Sequence, residues 1–581
     1  MLDTQRDFED IPERTLSRRS FLMGAGAAGA LAATGTLGAC APKSAEEITP
    51  GGSPVAASEG VGWLGSAPEI DPASITETVD TDLLIVGAGN GGLVAAATAV
   101  ELGIDFVLAE KNPAYTEDRV WIGAVNSHYT REAGLEVDPQ KILFELSKYA
   151  SNKVDQNVIK VWINESAAMI DWLDTVLGPV ADFDTVLGPE GNWYIPPVQH
   201  IYGGQQGMPV MGGPTTMGGP SRNGALEQIV LDAGNIIHYE HRLEKLIREG
   251  NGPVTGGIFS RSDGSYLQIN ARNIILATGG YANNPTMIDA LIPLVPACCT
   301  SNSYNPGNDG SGMKAALHVG ASKDIEGTAM IFDRGAVPPG MAAGYVGEGD
   351  ERAFPGPIMQ FVFGSQPFLK VDLNGRRFAN ESTPYDFITH AAATRKNGTY
   401  IQIFDASAAE DVMRFATIGC SKIGPMILLA LGEGDPSKAF AQEIELGAVV
   451  QADTIEELAE KLEIPVDAFV TTVARYNELN EKQVDEDFGK ESFRLSAIDT
   501  PPYYGVTLGG ALLTTIDGLT ITPDMQVLDT DKNIIEGLYA VGDVSGNFFA
   551  NNYPELIVGT ACGRTLTFGR HAVYHSAGKS V

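Results

Sequence analysis

The sequence predicts an α/β fold, and three observations carry that prediction. A buried apolar strand, Leu83 to Val86, runs straight into Gly87-x-Gly89-x-Gly91-Gly92 and an alanine-rich helix reaching about Leu102. A second strand, Phe106 to Ala109, ends at Glu110. Two later segments, Asn273 to Gly280 (N-I-I-L-A-T-G-G) and Gly537 to Asp543 (G-L-Y-A-V-G-D), read as buried strands that stop in small residues. Strand, glycine turn, helix and second strand in this order make a Rossmann-like dinucleotide unit. The 67 glycines among 581 residues exceed the usual share of roughly 7% and suit tight turns where backbone approaches a ligand.

Each part of the unit has a physical task. Gly87 permits the turn, Gly89 lets backbone reach a pyrophosphate, and Gly91 and Gly92 open a helix whose N-terminus faces the phosphate with its positive dipole end. Glu110, with Lys111 beside it, is placed at a ribose hydroxyl. Ala277, Thr278 and Gly279 close the third strand, and Gly542 and Asp543 the last. A lone glycine motif is weak; the ordered set is specific.

Composition narrows the rest. Asp and Glu number 73 against 39 Lys and Arg, a formal net charge of -34, which argues against a nucleic-acid binder. With 44% hydrophobic and 19% charged residues the chain can bury large cores and hold several domains. Five cysteines (Cys40, Cys298, Cys299, Cys420, Cys562) without a C-x-x-C give neither a disulfide scaffold, a zinc site nor a haem attachment. Cys298-Cys299 reads as packed thiols, and no residue is assigned to a metal.

The N-terminus reads as an address. Leu16 to Leu22 is L-S-R-R-S-F-L, followed by an uncharged Ala/Gly/Leu stretch from Phe21 to Pro42. This resembles a twin-arginine export signal, the route for proteins folded before crossing a membrane. Leu37-Gly38-Ala39-Cys40 resembles a lipobox; lipidation at Cys40 is favoured, with ordinary cleavage after Ala39 as the alternative. The expected organisation is a signal over 1–45, a tether over 46–78, and a globular remainder held at the outer face of the membrane or in the periplasm by a lipid anchor only.

Asp372 to Phe387 (D-L-N-G-R-R-F-A-N-E-S-T-P-Y-D-F), Pro501-Pro502-Tyr503-Tyr504-Gly505 and Gly509-Gly510, taken with the three strand signals, resemble the fumarate reductase flavoprotein superfamily. The resemblance implies an FAD-binding domain over 79–325 and 500–581, interrupted by an α+β capping domain over 326–499, with substrate between cap and flavin. It implies FAD as cofactor and an oxidoreductase acting on CH-CH or C=C bonds. Asn305 to Ala321 matches the last helix before the cap, and the glycine-rich Tyr202 to Gly224 stretch reads as a loop near the flavin or as a surface loop.

Departures refine the branch. The fumarate branch carries a catalytic arginine where this chain has Tyr385, and two further substrate-gripping residues are replaced in Val506 and in Asn551 to Leu556. A dianion without those cations would be buried unpaired, which argues against a small dicarboxylate. N-E-x-x-P-Y-D and a late Tyr-Pro are similar to the 3-ketosteroid dehydrogenase branch. That likeness implies Tyr385 as the proton-exchanging residue, Tyr553 as donor to the ketone oxygen, and the Ile557 N–H beside it. Glu381 is implied to pin the flavin side of the cap. Glu555, where the family has glycine, suggests a different substrate outline.

Tyrosine's ordinary pKa near 10 makes it a better acid than base at neutral pH, so the expected reaction is reduction of a C=C bond conjugated to a carbonyl, on an enone, steroid-like or aromatic enoate substrate. Electrons would come from a separate cytochrome or quinol-linked donor. Two alternatives stand: a 3-ketosteroid-type dehydrogenase running oxidatively, and a non-catalytic flavin electron-transfer lipoprotein.

Overall fold

The structure is a computed structural model describing residues 62–117, 119, 121–178, 180–183, 199–202, 221–302, 307–358, 360–417, 421, 423 and 436–581. The expected export signal, Cys40, the start of the tether, Cys420 and the glycines of the 203–220 stretch lie outside them. Among the described residues no helix is long and apolar enough to cross a membrane.

Two sheets organise the chain. In the first, Ile534–Ala540, Tyr266–Leu276, Ile75–Val86, Phe106–Ala109 and Ile237–His238 lie side by side and parallel. Leu84 pairs Val107 on one side and Ile274 on the other, and Ile274 pairs Leu538. Leu83 to Val86 are buried to the last residue, as a strand covered on both faces must be. An antiparallel hairpin, Arg242–Arg248 with Val254–Ser260, adds onto Tyr266–Leu276. The first strand begins at Ile75, inside the stretch read from sequence as tether.

Helices Asn90–Leu102 and Thr560–Ser576 pack against each other on this sheet. Their contact depends on glycine: a Cβ at Gly569 would stand 2.7 Å from the Gly91 carbonyl oxygen. The long strand Tyr503–Thr515 forms the axis of the second sheet. It pairs Cys299–Asn302 in parallel and Ala329–Val337, Tyr400–Phe404 and Val449–Ala452 antiparallel. At Gly509 and Gly510 a Cβ would press to 2.5 Å against Thr300 and Ile331 respectively, so the Gly-Gly pair is what lets three strands close on one another. A phenylalanine-rich core (Phe361, Phe363, Phe368, Phe404, Phe415, Phe440) fills one face of this lobe.

Candidate active site

The glycine turn closes against the third strand. Gly87 has φ +104°, and a Cβ there would lie 2.4 Å from the Ala277 carbonyl oxygen. Gly92 is tighter still, since its Cβ would sit 1.8 Å from the Gly87 carbonyl oxygen. It serves helix-to-strand packing and does not line the cleft. Gly89 is open, its nearest neighbour being Thr116 Oγ1 at 3.6 Å from a built Cβ. Around it runs a cleft open to solvent, lined from both the glycine turn and the Gly542-Asp543 strand end.

Gly87, Gly89, Gly91, Glu110, Lys111, Ala277, Thr278, Gly279, Gly542 and Asp543 all face this cleft. Glu110 is buried and braces the turn, accepting from the Ala88 N–H at 2.7 Å and the Asn112 N–H at 2.8 Å. Lys111 pairs with Asp309 at 2.8 Å. Burial alone would raise the Asp309 carboxyl, but Lys111 and the Ser311 donors hold it below the usual carboxylate range. Gly279 and Gly542 adopt φ +70° and +71°, a conformation side chains disfavour.

Asp543 is held by a residue the motifs did not show. Arg119 grips it with both guanidinium nitrogens, NH1 at 3.1 Å and NH2 at 2.7 Å, and Thr514 Oγ1 donates at 2.8 Å. Burial opposes ionisation of Asp543, yet the Arg119 charge keeps its carboxyl low. Arg564, fully buried, donates to the Gly542 carbonyl at 2.7 Å and the Ser545 carbonyl at 3.2 Å, fixing the turn itself. Arg222, also fully buried, holds Asn90 Oδ1 at 2.6 Å, the Arg119 carbonyl at 3.0 Å and the Glu117 carboxylate at 3.3 Å. The sequence signal was a charged run, Glu117-Asp118-Arg119, inside an otherwise apolar approach to Ile122.

These residues fit FAD. Open backbone at Gly89, a helix N-terminus at Asn90 and carboxylates at Glu110 and Asp543 match a pyrophosphate flanked by hydroxyl-rich groups.

The segments that carry Tyr385 and Tyr553 are bonded to each other, the Tyr385 N–H to Glu555 and the Tyr553 N–H to Asp386. Tyr385 opens the Tyr385–Ala393 helix and is 2% exposed, its ring edge-on to Phe332 at 4.7 Å. Tyr553 precedes the last helix and is 5% exposed. Its hydroxyl accepts from the Ala561 N–H at 3.4 Å, at the N-terminal end of that helix. Asp386 is buried and accepts from the Tyr553 N–H at 3.2 Å and the Ile331 N–H at 3.0 Å. Burial pushes its carboxyl well above the usual range.

Glu555 is the counterpart, accepting from the Tyr385 N–H at 3.3 Å and from Ser421 Oγ. Burial, with Asp333 nearby, raises it to about 7 against the Ser421 bond. Arg334 stands over the Phe332 ring at 4.4 Å and donates to Ser365 Oγ at 2.8 Å and Gln360 Oε1 at 2.8 Å.

One expectation is corrected here. The Ile557 N–H is taken by the Pro554 carbonyl at 2.9 Å in a tight turn, and Ile557 is fully buried away from the cleft. It is therefore not placed to hold a cofactor or a substrate oxygen. Glu381 is bonded to Arg377 Nε and NH2 at 2.8 Å each, stands 3.6 Å from Lys490, and lines a pocket with Glu555 and Leu556. Cys298, Cys299 and Cys562 are free buried thiols. Among the described residues no cluster of His, Cys, Asp and Glu could hold a metal ion.

The FAD_binding_2 family, described as FAD binding domain, matches residues 82–555. The chain is 27% identical to the vinyl phenol reductase of Lactiplantibacillus plantarum over 521 residues, covering 86% of this chain and 98% of that one. It is 26% identical to the fumarate reductase (cytochrome) of Shewanella frigidimarina, covering 84% and 76%. It is 28% identical to a 3-oxosteroid 1-dehydrogenase of Mycobacterium tuberculosis over 321 residues, 53% of each chain. Among solved structures, a flavocytochrome c3 fumarate reductase in its open conformation superposes with a TM-score of 0.62 at 22% identity, covering 87% of this chain and 79% of that one. A 3-ketosteroid Δ1-dehydrogenase from Sterolibacterium denitrificans superposes at 0.65 and 20% identity, covering 86% and 99%; both likenesses bear on the fold alone. Glycine turn, closing carboxylates, sheet order and family match agree, and the chain belongs to the FAD binding domain family of flavoprotein oxidoreductases, with a Rossmann-like FAD domain interrupted by a capping domain.

Proposed function

We propose that this chain is an exported FAD-dependent reductase of a carbon–carbon double bond conjugated to a carbonyl or to an aromatic ring, with Tyr385 as proton donor and Tyr553 as donor to the developing negative charge. The observation that carries the reading is that these two tyrosines, 168 positions apart in sequence (553 − 385), are both buried on segments bonded to each other through Glu555 and Asp386.

FAD, when bound, supplies the hydride. The chain must then provide a proton at the neighbouring carbon and a donor for the electrons that accumulate on the conjugated group. Tyr385, withdrawn from bulk water on a rigid helix, is the acid. Tyr553 accepts at its oxygen from a helix N-terminal N–H, which strengthens the hydroxyl as a donor. With the Ile557 N–H committed to Pro554, this second task falls to the tyrosine alone. Arg334 is bonded to Ser365 and Gln360. The likeness to the vinyl phenol reductase, which covers 86% of this chain and 98% of that one, supports an aromatic substrate.

The test is anaerobic. Photoreduced protein is mixed with vinyl phenols, cinnamates, enones, 3-oxosteroids and fumarate. Reoxidation by a vinyl phenol, cinnamate or enone is expected; silence from all of them, with flavin bound, would favour an electron-transfer lipoprotein. The oxidative alternative, supported by the 3-oxosteroid 1-dehydrogenase likeness, predicts bleaching of oxidised flavin by a saturated 3-oxosteroid.

The proposal extends to location and partner. Twin-arginine export and lipidation at Cys40 would place the enzyme outside the cytoplasmic membrane, and a cytochrome or quinol-linked protein would feed it. Mass spectrometry of the mature protein should find a lipidated Cys40 at its N-terminus; an N-terminus at Met1 sinks this part.

A further inference from the structure

The two tyrosines are tied to each other by crossed bonds. The Tyr385 N–H donates to Glu555, two residues after Tyr553, while the Tyr553 N–H donates to Asp386, one residue after Tyr385. Each tyrosine's backbone is held by the carboxyl that travels with the other. Asp386 also takes the Ile331 N–H at 3.0 Å, and Phe332, next in that strand, packs edge-on against the Tyr385 ring. Three segments far apart in sequence thus meet at the tyrosines.

The Tyr385 N–H is the first of its helix and Pro384 before it offers no capping side chain, so the acceptor must come from elsewhere. Glu555 supplies it: its carboxyl is buried there although Asp386 and Asp333 both oppose its charge, and a glutamine amide could accept the same N–H. Ser421, on the other oxygen of Glu555, lines a small pocket together with Thr417, Arg494 and Ser365, and Glu555 itself forms part of its wall.

We propose that Glu555 is a positioning residue for the proton donor, fixing the start of the Tyr385 helix relative to Tyr553 as one half of a reciprocal pair with Asp386. This rests on the reading of Tyr385 as the acid. Glu555 is where the spacing of the two hydroxyls is set, and Asp386 is the matching half on the Tyr553 side.

The experiment uses the full-length flavin-loaded protein and the best unsaturated substrate of the panel. Glu555→Ala should lower kcat ten- to a hundredfold while KM moves less than threefold and flavin absorbance is kept. It should also raise the solvent deuterium isotope effect as proton transfer slows. Glu555→Gln, which keeps an acceptor for the Tyr385 N–H, should recover kcat to within threefold. In a double-mutant cycle, Asp386→Asn should add little further loss to Glu555→Ala, since both act on one arrangement. A kcat within twofold of wild type for Glu555→Ala, or a loss explained wholly by missing flavin, overturns the proposal. If wild type itself reduces nothing, the functional reading has failed instead, and the clamp is judged by amide hydrogen exchange. Glu555→Ala should then accelerate exchange in the peptide over 383–389, and unchanged exchange there overturns it whatever the substrate.

Discussion

In the nucleotide cleft the groups that meet the ligand are mostly backbone, gathered by the short run 83–110 and the ends of two further strands. At the tyrosine junction they are side chains gathered from residues 331 to 555 and held by carboxyls bonded to backbone N–H groups. The cleft is intolerant of added atoms, because Gly87 and Gly92 leave no room for a Cβ. The junction is in addition sensitive to charge, because two buried carboxyls interact with each other and both are raised by burial. One region is set by sterics and the other by electrostatics, so different substitutions should break them.

The largest effect belongs to the cleft. Gly92→Ala places a methyl group against the Gly87 carbonyl and should cost on the order of 4 kcal/mol or more, by forcing the helix off the strand. The expected outcome is a protein without the flavin absorbance band near neutral pH. Flavin retained at wild-type stoichiometry would show that the helix can shift, and that the cleft is not fixed by sterics.

Next comes the acid itself. Tyr385→Phe removes one oxygen from a buried site and should reduce turnover about 10²–10⁴-fold, the usual weight of a positioned acid, while flavin stays bound. Activity above a tenth of wild type would remove Tyr385 from the chemistry and leave the junction a packing feature.

The electrostatic character of the junction can be read without any substrate. Glu555 titrates near 4.5 when unfolded and near 7 when buried, so the folded state holds its proton more tightly. The penalty for ionising it is absent below the lower value, grows as pH rises between the two, and is complete above about 7. Glu555→Gln never ionises. It should match wild-type stability at pH 4 and exceed it at pH 8 by about 3 kcal/mol, from 1.36 kcal/mol for each unit of pKa difference. Thermal unfolding across that range checks it, and a difference independent of pH would mean the carboxyl is already neutralised by a partner.

What could be read ahead of the structure follows the same division. The cleft was legible because its geometry is written locally: Gly87, Gly89, Glu110 and Asp543 each follow from a strand end and a fixed spacing. Gly92 faces the strand and not the cleft, a distinction only packing can make. Tyr385 and Tyr553 were legible as candidates, yet the crossed bonds of Asp386 and Glu555 were not, since nothing in either segment announces the other. Ile557 was misjudged because a Pro554 turn that captures its N–H is a three-residue backbone detail. Arg119, Arg222 and Arg564 were missed because buried arginines carry no motif, although the charged run at Glu117 to Arg119 was visible.

Arg119 allows the finest test, because it brings electrostatics into the steric region. Its fork holds both oxygens of Asp543, a geometry lysine cannot copy. Arg119→Gln leaves Asp543 with Thr514 at 2.8 Å and the Arg564 guanidinium at 3.7 Å, so the carboxylate remains partly supported and folding should survive. FAD affinity should fall about tenfold, or ~1.4 kcal/mol, measured by flavin fluorescence on dilution. The loss should also acquire a pH dependence. In the wild type Arg119 keeps the Asp543 carboxyl low against the effect of burial, so it stays ionised across the working range. Without that charge burial dominates, the carboxyl takes up a proton as pH falls, and it becomes a weaker acceptor for a ligand hydroxyl. The variant should therefore bind FAD progressively worse as pH falls while the wild type changes less. Arg119→Lys should restore the pH independence but not the full affinity, separating the charge from the fork. Equal affinity for all three proteins at every pH would mean that Asp543 does not touch the cofactor, and that the cleft is held by its glycines alone.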